Sequence, residues 1–120
     1  MSLQIFINVE YFDKEDAKVS VYDHGFLYGD GVFEGMRSYG GKIFRMQAHL
    51  ARLWYSAKAI CLELPMSPEA VADAVNETLR RNDIQDGYVR LIVSRGAGTL
   101  GIDPNKTSNP QVIAIADHIS

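Results

Sequence analysis

The chain has 120 residues, with 12 Lys and Arg against 15 Asp and Glu, a net charge of −3. That balance argues against a protein built to grip nucleic acid or an anionic membrane, which usually shows a basic excess. Hydrophobic residues at 47% with charged residues at 22% suit one globular domain with a modest core and argue against disorder.

Residues 3–8 (Leu3 to Asn8) are rich in strand formers, and the break at Asn8-Val9-Glu10 before Tyr11-Phe12 predicts a short hairpin. Val9 is awkward there, because a primed turn needs positive φ and a β-branched side chain resists it. Residues 13–18 form a charged, solvated connector. The segment from Asp23 to Gly31 holds three glycines, two aromatic residues and His24, and reads as a connecting loop able to approach a ligand or another chain.

Residues 32–39 predict a strand, Gly40-Gly41 a turn, and Lys42 to Arg45 a returning strand. Over residues 47–60, Leu50, Leu53, Trp54, Ala57 and Ile60 recur at helical spacing and make one apolar stripe. Cys61 continues that stripe and reads as a small core residue rather than a nucleophile. His49, Arg52 and Ser56 lie off it. They read as a solvated face, with an anion site as the alternative because a guanidinium fork suits phosphate.

Ser67-Pro68 is a helix start, and Val71, Ala74, Val75 and Leu79 give the core face of a helix reaching Arg81. Residues 88–94 and 111–116 predict strands. Gly96, Gly98 and Gly101 fit a dinucleotide fingerprint by letter, yet Ile102-Asp103-Pro104 follows where a helix would have to open. The segment Gly96–Pro104 is therefore expected to be a loop without a nucleotide. His24, His49 and His118 show no metal-ligand spacing, and Asp30, Glu34 and Asp103 are too scattered to suggest a carboxylate pair. The order of elements favours α+β: an antiparallel sheet with two helices packed on one face. A lone cysteine is compatible with a reducing, cytoplasmic compartment.

Taken together, the run from Tyr22 to Arg37 resembles the signature region of the fold-type IV aminotransferases, which use pyridoxal 5′-phosphate. Phe44-Arg45 followed by His49-Leu50-Ala51-Arg52-Leu53 resembles the family's phosphate-arginine helix. Tyr88-Val89-Arg90 and the Gly96–Pro104 loop are similar to the branched-chain amino-acid aminotransferase subgroup.

The resemblance implies that residues 1–120 are the small amino-terminal domain. The Schiff-base lysine would lie in a larger domain that this sequence does not contain; none of Lys14, Lys18, Lys42, Lys58 and Lys106 matches it. It implies Arg52 as the ligand of the cofactor phosphate. Phe33 and Tyr88 would line the substrate side-chain pocket, with Arg37 nearby, and Arg90 would hold the second carboxylate of glutamate or 2-oxoglutarate. Tyr28, Leu100 and Ile102 would reach the neighbouring subunit's site in a homodimer.

The implied reaction moves the amino group of Leu, Ile or Val to 2-oxoglutarate. The fragment alone is expected to be inactive and to hold the cofactor weakly or not at all. Aminodeoxychorismate lyase and D-amino-acid transaminase share the family and stand as alternatives, as does a non-catalytic binding domain. The small-molecule partners are an amino acid and a 2-oxo acid; no nucleic acid or membrane partner is expected.

Overall fold

A computed structural model describes residues 2–101 and 107–119. Strands β1 (Gln4–Ile7) and β2 (Glu10–Asp13) form the expected hairpin, and α1 (His24–Tyr28) follows the charged connector. Next come β3 (Gly31–Tyr39), β4 (Lys42–Ile43), α2 (Met46–Ala59), α3 (Pro68–Arg81) and β5 (Gly87–Ser94). A two-stranded ribbon, β6 (Ala97–Gly98) with β7 (Thr107–Ser108), precedes β8 (Gln111–His118). The main sheet is antiparallel throughout, in the order β2-β1-β8-β5-β3-β4.

Side-chain alternation along the strands gives this sheet two different faces. Met36, Val89, Leu91, Val93, Val112, Ala114 and Ala116 point one way and are buried. They pack against Leu50, Leu53 and Ala57 of α2 and Val71, Val75 and Leu79 of α3. The α+β arrangement with both long helices on one face is therefore as the sequence suggested. The other face carries Phe33, Gly35 and Arg37, opposite Ile92, Arg90 and Tyr88 in register. Part of it, at Ile5 and Ile7, is covered by the segment around Ala17 and Val19.

Several local features depart from or sharpen the sequence reading, among them a strand at Ala97–Gly98 inside the expected Gly96–Pro104 loop and a returning strand that ends at Ile43 rather than Arg45. First, residues 24–28 form a short helix rather than a plain loop. The Asp23 carboxylate caps it by accepting from the Phe26 N–H, and Gly29 at φ 68° ends it in the left-handed region. Second, Cys61 is exposed, not a core residue. Helix α2 stops at Ala59, and Cys61 adopts φ 56°, so the stripe no longer turns inward there. Third, the hairpin turn accommodates Val9 at φ 66° beside Asn8 at φ 47°. Asn8 is held by its N–H donating to the Val112 carbonyl and its Oδ1 accepting from the Val112 N–H. Among the described residues no helix is long and apolar enough to cross a membrane.

Candidate functional site

The open sheet face collects Phe33, Arg37, Tyr88 and Arg90, because β3 and β5 pair with these residues in one phase. Phe33 is 56% exposed. The Arg90 guanidinium lies 4.1 Å from the Phe33 ring centre, a stacked cation on an aromatic wall. No carboxylate among the described residues comes within ion-pairing distance of Arg90.

Tyr88 lies across Gly35. A Cβ at Gly35 would overlap the Tyr88 hydroxyl, so the absent side chain is what lets the phenol lie along the sheet. Between this face and α1 runs a groove of about 430 Å³, lined by Val19, Phe26, Phe33, Arg90, Ile92 and Ile113 among others. It joins an aromatic and aliphatic wall to one cation.

The groove's floor is pinned by a polar network that sequence reasoning missed. Ser94 Oγ donates to Asp23 Oδ2 at 2.6 Å, and the Gly25 N–H donates back to Ser94 Oγ at 3.1 Å. A Cβ on Gly25 would collide with Ser94, so glycine is required for this approach. The buried His24 faces the Thr99 carbonyl through Nε2 at 2.6 Å, so this nitrogen carries the donating proton. His24 also meets the Tyr28 ring edge-on, 5.0 Å between centres. Tyr28 and Leu100, 41% and 65% exposed, thus share one corner of the domain. Ile102 lies outside the described residues.

Arg52 stands apart from this group. Its partner, Glu34, belongs to β3 but faces the helices, the opposite side from Phe33. Glu34 accepts from Arg52 Nε at 2.8 Å and from Arg52 Nη2 at 2.7 Å, and its Oε1 lies 2.7 Å from His49 Nδ1. The Arg52 guanidinium holds the Glu34 carboxyl below the usual carboxylate range, with His49 assisting, although burial opposes this. Glu34 in turn pushes Arg52 upward. Arg52 projects outward, 66% exposed at its side chain, consistent with its place off the apolar stripe. The His49–Arg52 spacing was visible in the sequence. Glu34 became legible as their partner only once the phase of β3 placed it on the helix side.

A family model for class IV amino-transferases matches residues 31–120. The chain is 50% identical over 114 residues to a protein of Methanocaldococcus jannaschii provisionally described as a branched-chain-amino-acid aminotransferase, covering 95% of this chain and 40% of that one. It is 37% identical to the D-alanine aminotransferase of Staphylococcus haemolyticus, covering 94% of this chain and 40% of the relative. Among solved structures, a branched-chain amino acid aminotransferase from Escherichia coli superposes with a TM-score of 0.91 at 32% identity. That match covers 99% of this chain and 42% of the other. The chain therefore spans about two-fifths of the length of the curated relatives it matches.

Proposed function

The chain belongs to the class IV amino-transferases, and from that premise we propose that it is the amino-terminal part of an enzyme that moves the amino group of a branched-chain amino acid to 2-oxoglutarate. The observation that carries this reading is Arg90 stacked on Phe33 at the edge of an apolar groove. Leucine and glutamate must use one pocket in turn. An aromatic and aliphatic wall accepts the first, and a guanidinium held at the rim, in water when no acid is bound, pairs with the side-chain carboxylate of the second. Tyr88, held flat over Gly35, extends the apolar wall, and Arg37 adds a second cation to the same face.

The residues present also fit a pyridoxal phosphate. The exposed guanidinium of Arg52 offers a planar donor edge of the kind a phosphate ester takes. When bound, the cofactor supplies the electron sink and the amine carrier. The chain's own part is to bind and to orient: Arg52 the phosphate, Phe33 and Tyr88 the substrate chain, Arg90 the distal carboxylate. None of Lys14, Lys18, Lys42, Lys58 and Lys106 matches the family's Schiff-base lysine. We place that lysine in a larger carboxy-terminal domain. Tyr28, Leu100 and Ile102 would face the site of a neighbouring subunit in a homodimer, and the lone cysteine suits a cytoplasmic enzyme.

The test is amino transfer by the full-length gene product, with 2-oxoglutarate as acceptor and L-leucine, L-valine or D-alanine as donor. Turnover with the branched L-amino acids well above that with D-alanine supports the reading. Preference for D-alanine, or pyruvate release from aminodeoxychorismate, assigns the chain to another activity of the family. The 120-residue chain alone is expected to show no turnover.

A further inference from the structure

An exposed arginine on a helix samples many rotamers, and a ligand that holds it must overcome that freedom. Arg52 is already held. Glu34, 5% exposed, takes the side of the guanidinium, with one oxygen on Nε and the other on Nη2. Because the group is planar, this grip leaves the outer edge free: both N–H groups of Nη1 and the second N–H of Nη2 point away from the carboxylate. Two parallel N–H groups on that edge match two oxygens of a phosphate. His49, one turn earlier on α2, meets Oε1, the Glu34 oxygen that also accepts from Arg52 Nη2, and restrains the carboxylate there. A carboxylate at this depth is costly unless paired, so Glu34 needs the Arg52 guanidinium and the hydrogen bond with His49.

We propose that Glu34 is a positioning residue: anchored by His49, it fixes the Arg52 guanidinium so that its outer edge receives the phosphate of the cofactor. The proposal rests on the reading of Arg52 as the phosphate ligand. Two effects of Glu34 oppose each other. Its negative charge repels a phosphate, while its grip removes the disorder of the arginine. The repulsion is weakened because the carboxylate is matched by Arg52 through two hydrogen bonds. Orientation therefore dominates, and removing Glu34 weakens phosphate binding rather than strengthening it.

The test compares the affinity of the full-length gene product for pyridoxal 5′-phosphate and for pyridoxal, which lacks the phosphate, by absorbance titration. Glu34→Gln is expected to weaken pyridoxal phosphate binding about tenfold, the equivalent of ~1.4 kcal/mol, and to leave pyridoxal unchanged. Arg52→Ala should lower the same ratio, and adding Glu34→Gln to it should lower it no further. If Arg52→Ala leaves the ratio unchanged, the phosphate reading of Arg52 fails, and the proposal with it. If Arg52→Ala lowers the ratio but Glu34→Gln leaves it unchanged or raises it, Arg52 stands and the positioning role is overturned. Should Glu34→Gln not fold, Glu34→Asp keeps the charge but is one methylene too short to grip both nitrogens. It is expected to lose phosphate discrimination in the same sense, and full discrimination in that variant overturns the proposal.

Discussion

Gly35 separates stability from site geometry at a single residue. Its missing side chain is filled by the end of Tyr88, a flexible group on an open sheet face, rather than by backbone. A methyl there displaces the phenol without opening the core. Gly35→Ala is therefore expected to change folding stability by no more than about 0.5 kcal/mol, the ordinary range for surface substitutions. On the proposed function it should still raise KM for leucine in the full-length protein, because Tyr88 moves. Thermal melting and steady-state kinetics together check this; a melt lowered by several degrees would show that Gly35 serves the fold instead. Residues of this kind were partly legible beforehand. The types and order of Phe33, Tyr88 and Arg90 carried their resemblance, but Glu34 did not announce itself. Its partners lie 15 and 18 positions away, and only the strand phase decides whether it faces Arg52 or the groove.

Both long helices end by the same device. The Cys61 N–H donates to the Lys58 carbonyl and the Leu62 N–H to the Ala57 carbonyl; Asp83 and Ile84 repeat this with Arg80 and Leu79. This is a Schellman closure, in which the left-handed position is normally glycine and the next residue is apolar. Here Cys61 and Asp83 take that position at φ 56° and 53°, with Leu62 and Ile84 buried behind them. Cys61→Gly relieves the strain and is expected to stabilise the fold by about 0.5–1 kcal/mol.

Arg95 acts on the same helix end. It is 8% exposed, pairs with Asp30 at 2.7 Å and donates to the carbonyls of Ile60 and Cys61. Arg95→Met leaves those acceptors without a donor and should destabilise by about 2 kcal/mol. Chemical denaturation of the two variants gives opposite signs if this account of the α2 terminus is right; a stabilised Arg95→Met contradicts it.

At this scale the sequence was most informative where local chemistry decides. Ser67 caps α3 through the Ala70 N–H, and Pro68 opens it, as the residue types predicted. Helix α1 escaped notice because five residues hold too short an apolar pattern. Its signal lay in its caps, Asp23 and Gly29. Cys61 was misplaced because helical periodicity says which way a residue points only while the helix continues.

The whole molecule is a sheet with one face closed by helices and one face open. Phe26, Phe33, Tyr28, Leu100 and Ile115 are all exposed, an apolar surface of the sort that marks an interaction site rather than a finished exterior. That exposure agrees with a chain spanning about two-fifths of its curated relatives and with the proposal that a larger domain and a second subunit meet this side.

On the proposed function, the open face handles two kinds of substrate through Arg90 and the wall beside it. The most direct test is Arg90→Ala in the full-length enzyme, with kcat/KM measured separately for leucine and for 2-oxoglutarate. Loss of a charge-assisted contact predicts a fall for 2-oxoglutarate of at least about tenfold, with leucine little changed. Equal losses for both substrates would contradict the account, because they would show Arg90 supporting the site as a whole rather than reading the second carboxylate.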